Sequence, residues 1–151
     1  MMGIETEIKQ SSFRNDYHKA LVNIVYTSNW VIENMKRLLE IEDITHQQFN
    51  ILRILRGSHK PLSTLELRER MIDKMSDTSR IVERLIKKEL VHKQTCKHDK
   101  RLVDITISDK GMELLAKLDS KNDDIDSIPA RITLHEAATL NDLLDKLRLK
   151  S

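Results

Sequence analysis

The arrangement of capping and strand signals between Lys60 and Gly111 leaves this chain few folds to choose from. Ser63-Thr64-Leu65-Glu66 is a capping box, in which the serine hydroxyl takes the Glu66 amide while the glutamate reaches back to the Ser63 amide. It opens a helix whose apolar side is Leu67 and Met71. A second helix is predicted over roughly Ser76 to Lys88, with Thr78, Ile81, Val82 and Leu85 spaced for one buried face. Its other face carries Ser76, Asp77, Ser79, Arg80, Glu83, Arg84 and Lys87. Leu90-Val91 then starts a strand, Cys96 to Arg101 forms a charged tip, and Leu102 to Ile107 returns as a β-rich run. Helix, helix, hairpin in that order predicts a winged helix-turn-helix, an architecture suited to reading DNA.

The charge distribution agrees with that expectation. The whole chain balances to +2, yet between Lys74 and Arg101 nine basic residues stand against four acidic ones. A local basic excess beside short polar side chains on one helical face suits phosphate contacts combined with base-edge readout. The residues predicted to meet DNA are Ser76, Asp77, Thr78, Ser79, Arg80 and Arg84 on the second helix, and Lys97, Lys100 and Arg101 on the hairpin tip. Thr78 also falls on the apolar spacing and so competes for a place in the core. Arg80 and Arg84, four apart, share a face and can address phosphates or guanine edges together.

From about Phe13 to Leu149 the sequence resembles the MarR family of bacterial winged-helix regulators. The resemblance is carried by Ser79-Arg80-Ile81-Val82-Glu83-Arg84-Leu85, then Leu90-Val91, then Asp99-Lys100-Arg101, then Ile105 to Gly111, all in register. It implies that Arg101 enters a minor groove and that Asp99 supports the guanidinium through a charge-assisted hydrogen bond. It also implies a homodimeric repressor on a pseudo-palindromic operator, responding to a small aromatic or anionic effector bound between the dimer helices and the DNA-binding lobe. Two residues depart from the family pattern. Glu89 stands where a glycine usually closes the recognition helix, and a left-handed cap costs glutamate about 1 kcal/mol, which points to another exit geometry. Arg68 stands where a small alanine usually packs, and must point outward.

Elsewhere the chain reads as mainly α-helical. At 151 residues it is expected to be one domain, with helices at about 11–39 and 109–149 forming a dimerisation region around a winged-helix lobe at about 45–108. Residues 1–10 are polar and read as frayed. The first long helix carries Phe13, Tyr17, Leu21, Ile24, Val25, Trp30, Val31, Ile32, Met35, Leu38 and Leu39, and its middle is apolar on more than one face. A helix apolar that far round is covered from two sides, and in a small domain the second cover can be another subunit. Thr45 caps a helix expected to stop near Gly57. Ser108 caps the helix after the hairpin, residues 121–129 read as an acidic loop or loose helix end, and Thr133-Leu134-His135-Glu136 is a second capping box. Leu134, Ala137, Leu140, Leu143, Leu144 and Leu147 then make a leucine-rich stripe, which reads as packed core, partner surface or both.

The sequence offers little for chemistry. Three glycines cannot supply a phosphate loop, and paired carboxylates fall in charged, solvated segments, so no enzyme and no cofactor are expected. One cysteine excludes an intramolecular disulfide and fits a reducing cytoplasm. The start lacks a signal-peptide pattern, and no apolar run approaches the ~18 residues of a membrane span, so a soluble cytoplasmic protein is expected. His92, Cys96 and His98 alternate along one predicted strand face and supply the competing reading, a metal- or redox-responsive regulator. Their spacing matches no standard zinc motif, no second cysteine exists to resolve a sulfenate, and no metal is assigned. Tyr26, Trp30 and Met35 on the first long helix are the residues expected to line an effector pocket, if they are not plain core.

Overall fold

A computed structural model describes residues 2–150; Met1 and Ser151, the two ends of the expected unit, lie outside the described residues. The elements in order are α1 (Ile4–Glu7), α2 (Asp16–Glu40), α3 (His46–Ser58), α4 (Thr64–Arg70), α5 (Thr78–Lys87), β1 (Val91–Thr95), β2 (Val103–Ile107), α6 (Asp109–Asp119), α7 (Asn122–Asp126) and α8 (Leu134–Leu147). Mostly helical with one antiparallel hairpin, this is the winged helix-turn-helix expected from the sequence.

Local chemistry explains where the helices begin. Thr45, Ser63 and Thr133 each form a complete capping box, with Gln48, Glu66 and Glu136 as the returning side chains. Ser108 caps α6 by accepting the Gly111 amide at 3.0 Å. The ends obey a different rule. Helix α3 runs through Gly57, and it is His59, at φ 55°, that takes the left-handed turn. Glu89 does the same after α5, at φ 62°. The exit expected to be reshaped there keeps the geometry a glycine would supply. Its surroundings offset the cost: Ser108 Oγ donates to the Glu89 carbonyl at 2.7 Å, and Lys110 Nζ donates to the Lys88 carbonyl at 3.0 Å. Arg68 points outward, as its size requires.

The core is built around α3, which packs against α2, α4, α5, α6 and β2. Ile51, Leu52 and Leu55 on α3 meet Leu67 and Met71 of α4, Val82 and Leu85 of α5, Ile105 of β2, and Leu115 and Leu118 of α6 in one buried cluster. Each such side chain contributes about 1.5–3 kcal/mol by leaving water. The hairpin pairs Val91 with Ile107 through to Thr95 with Val103. Its outer edge is closed by an isolated bridge that the sequence does not announce, with Leu62 and Ile105 exchanging hydrogen bonds of 3.1 and 2.8 Å.

Three expectations toward the chain's ends are corrected or sharpened. Residues 2–10 are not simply frayed. Ile4 of α1 is buried against the body, and Glu5 forms an ion pair with Lys19 of α2. The segment 121–129 contains the short helix α7. The α8 stripe is not packed core within this chain: no residue of α8 is buried, and Leu134, Leu143 and Leu147 are exposed. The apolar faces of α2 are similarly open, with Leu39 its only buried residue.

Gly111 is where the hairpin base closes on α6. A Cβ there would lie 2.4 Å from the Leu90 carbonyl oxygen and 2.7 Å from Ile107 Cγ1. Alanine's helix preference, about 1 kcal/mol over glycine, opposes an overpacking cost of about 1–3 kcal/mol against backbone and a β-branched side chain. The clash should win. Gly111→Ala is expected to lower stability by about 1–2 kcal/mol, read as a lower urea midpoint at unchanged m-value; an equal or higher midpoint would show that the hairpin base yields freely.

Candidate nucleic-acid interface

Helix α5 begins two residues later than the sequence suggested, because Asp77 rather than an earlier residue caps it, accepting the Arg80 amide at 3.2 Å. Ser76 therefore precedes the helix instead of standing on its outer face; it is half-buried, and its hydroxyl is shielded without a protein partner. Thr78, Val82 and Leu85 face the core, Ile81 is half-buried, and Ser79, Arg80, Glu83, Arg84 and Lys87 are exposed along the other side. Thr78 is the one predicted contact residue that the fold buries: it is 1% exposed, and its hydroxyl also finds no protein partner. The apolar spacing wins over the polar group there, because Thr78 shares the stripe of Val82 and Leu85.

Electrostatics sorts the basic residues further. Lys93 of β1 reaches Glu83 of α5 at 3.0 Å, tying the hairpin to the helix and neutralising the acid on the exposed face. Lys88 turns away to the Asp43 carbonyl and to Gln48. Among the described residues, Arg80, Arg84, Lys87, Lys97 and Lys100 make no ion pair and remain available to an external anion.

The hairpin tip is held by its own chemistry. Leu102 N–H donates to the Asp99 carbonyl at 2.9 Å, and Cys96 N–H to the Leu102 carbonyl at 2.9 Å, so Asp99 to Leu102 is a closed turn. An extended backbone is therefore not what puts Asp99 and Arg101 on one side; the turn does. The Asp99 carboxylate accepts from the Arg101 backbone N–H, from Nε and from Nη2, each at 3.0 Å. This bidentate fork fixes the guanidinium while leaving the Arg101 side chain 88% exposed. Its remaining N–H groups face outward as a pre-positioned cation of a size that enters a narrow minor groove.

His92, Cys96 and His98 do not assemble. His92 and His98 are exposed, Cys96 is half-buried, and among the described residues no three or more His, Cys, Asp or Glu side chains group as metal ligands. Tyr26, Trp30 and Met35 do share a cleft of about 860 Å³, but its position differs from that expected. It lies between α2, the α1 arm and the segment joining α7 to α8, not against the winged-helix lobe. Lys19, paired with Glu5, and Arg131 share its rim with Glu7 and Asp126, and the sequence pattern showed no sign of Arg131 or of the α1 arm there. No helix among the described residues is long and apolar enough to cross a membrane.

Comparison with known proteins places these features. The MarR family model matches residues 44–103. A MarR-like transcription regulator from Bacillus cereus is 24% identical, with a TM-score of 0.79 over 88% of this chain and 96% of its own. A cysteine-to-serine mutant of MarR from E. coli, complexed with operator DNA, is 22% identical with a TM-score of 0.82, covering 92% of this chain and all (100%) of that one. The organohalide-sensing regulator RdhR-CbdbA1625 in its 2,4-dichlorophenol-bound form is 24% identical with a TM-score of 0.81, over 92% and 85% of the two chains. A search of curated proteins gives no match.

The fork also has a pH signature. The Arg101 guanidinium, and after it the Arg101 backbone N–H, hold the Asp99 carboxyl below its ordinary value. A depressed carboxyl favours the ordered tip above the ordinary aspartate range of about 3.9 and loses that order as pH falls through the depressed value. Followed by carboxyl-carbon NMR, Asp99 should titrate below about 3.9 and return to the ordinary range in Arg101→Ala. A normal Asp99 titration in the wild type would mean that the fork does not persist in solution.

Proposed function

We propose that the chain is a MarR-family transcription regulator and acts as a homodimeric repressor on a pseudo-palindromic operator. The observation that carries this reading is the wing-tip fork, an exposed arginine that the fold fixes by three hydrogen bonds and uses for nothing internal. Two α5 helices enter successive major grooves about 34–36 Å apart. Arg80 and Arg84 address phosphates or guanine edges, Ser76, Asp77 and Ser79 border the groove, and Lys97, Lys100 and Arg101 reach flanking DNA. Thr78 takes part by placing the helix rather than by touching bases. Supporting the reading, a structure of similar fold was solved on operator DNA.

The open apolar faces of α2 and α8, which a lone chain leaves in water, support the second copy. Effector binding is assigned to the cleft of Tyr26, Trp30 and Met35, whose aromatic walls suit a small aromatic molecule; Arg131 is balanced there by Glu7 and Asp126, and Lys19 is paired with Glu5. A protein of the same fold binds 2,4-dichlorophenol. Because the cleft is floored by α2 and roofed by the segment leading to α8, a ligand there acts through the helices that set the spacing of the two reading heads.

Selection of bound sites from random DNA, followed by affinity measurement, tests the DNA reading. Arg101→Ala should weaken binding to every site, most where the flanking minor groove is narrow. Arg80→Ala should cost about 1–3 kcal/mol per subunit on the selected site, and less on random DNA, through lost guanine contacts. Asp99→Ala should give a milder loss of the Arg101 kind although it removes a negative charge beside DNA. Tighter binding by Asp99→Ala at every salt concentration would overturn the wing mechanism.

Oligomeric state is checked separately. The full chain should sediment as a dimer at micromolar concentration, and removal of residues 133–151 should produce aggregation or unfolding. A monodisperse monomer in either case contradicts the proposed assembly.

A further inference from the structure

The turn between α4 and α5 holds an apolar side chain that neither the core nor the charged face explains. Met75 is 93% exposed, more than any other large apolar side chain described, and lies two residues before the Asp77 cap of α5. The backbone around it is pinned. Ile72 N–H donates to Asn50 Oδ1 on α3 at 2.9 Å, Met75 N–H to Asp73 Oδ1 at 3.0 Å, and Ser76 N–H to the Asp73 carbonyl at 3.2 Å. Lys74 Nζ closes the same turn onto the Glu69 carbonyl. A flexible loop would let a methionine fold back onto the body; this turn directs it outward beside the start of the reading helix. Its neighbours toward that helix, Ser76 and Ser79, are short side chains.

We propose that Met75 is a specificity-determining residue whose side chain contacts the 5-methyl group of a thymine at one position in each half-site. This rests on the DNA-binding reading above and extends it. The thymine methyl is the apolar group on the major-groove edge of the base pairs, and a long, unbranched, polarizable side chain can cover it without demanding a hydrogen bond. Arg80 and Arg84 discriminate by donating to acceptors; Met75 adds discrimination where arginine has none. Ile72, though also exposed, is tied back to α3 through its amide and stands farther from the cap.

The test uses the full chain on DNA selected by the wild type. Thymines of one half-site are replaced by uracil one at a time, which removes the methyl and nothing else. Burial of one methyl predicts about a fourfold loss of wild-type affinity at one position. Met75→Ala should bind the thymine site about fourfold more weakly and lose nothing further on the uracil site, whereas Met75→Leu should retain the uracil sensitivity. Sites selected by Met75→Ala should no longer favour thymine there. With Met75 so exposed, unchanged thermal unfolding of both variants is expected, and a lowered midpoint would itself contradict the free placement of this side chain. A wild type that selects sites but is indifferent to uracil at every position, or a Met75→Ala variant that keeps the full uracil penalty, overturns the assignment alone. A wild type that selects no sites overturns the DNA-binding reading as well, so the two failures are distinguishable.

Discussion

The buried face of α3 is the constraint on which the rest of the molecule depends. Ile51 and Leu52 are fully buried, and the elements packed on α3 come from both sides of it in the sequence: α2 before it, and α4, α5, β2 and α6 after it. Because Leu85 and Val82 of α5 and Ile105 of β2 share that cluster, the reading helix and the wing are positioned relative to one another by a common core and not by the loop between them. A side chain lost from α3 would cost about 2–5 kcal/mol and would also loosen the angle between helix and hairpin. The Lys93–Glu83 pair and the Leu62–Ile105 bridge then trim a geometry already set by packing.

Polar chemistry at the surface has a different task. The Asp99–Arg101 fork is exposed, so solvent screening leaves it little to contribute to stability. What it supplies is order. Arginine is rich in rotamers, and fixing it before contact removes an entropy cost that binding would otherwise carry. The same logic explains why Asp77 and Asp99 can stand in a basic surface. Each directs its charge to a local donor, the Arg80 amide or the Arg101 side chain, and so presents less of it to a polyanion than a free carboxylate would.

What could be read from the sequence, and what could not, divides along the range of the interactions. Thr45, Ser63, Ser108 and Thr133 begin helices through bonds to residues three along, so the helix starts were legible without any fold. The start of α5 was blurred because Ser76, Asp77 and Thr78 are all short polar residues; Asp77 caps the helix and Thr78 is buried as its first residue. Helix α1 was invisible: four residues do not sustain a helix, and this one exists through Ile4 packing and the Glu5–Lys19 pair, both distant in sequence. Local rules even misled at the α5 exit. Glutamate disfavours the left-handed turn, yet Ser108 and Lys110 from the far side of the hairpin secure it. At the site, residue types located the helix face and wing tip, while the cleft at Trp30 combines segments more than ninety positions apart.

The last constraint comes from what a single copy leaves undone. Helix α8 has 14 residues, a length marginal for an isolated helix in water, and it buries none of its leucines in this chain. Its capping box contributes about 1 kcal/mol at the N-terminus, which holds the first turn but cannot order four. Helix α2 has the same difficulty over a longer span, with Leu21, Val25 and Ile32 open to solvent while Leu39 and the half-buried Met35 join the core. Two such faces, contributed by opposite ends of one chain, are complementary in chemistry, and a second copy would cover both through one symmetric interface. In that proposed assembly the contacts that complete α2 and α8 also set the distance between the two α5 helices. Stability of the terminal helices and register on DNA then become one variable, and anything that wedges into the cleft between α2 and the segment leading to α8 acts on both.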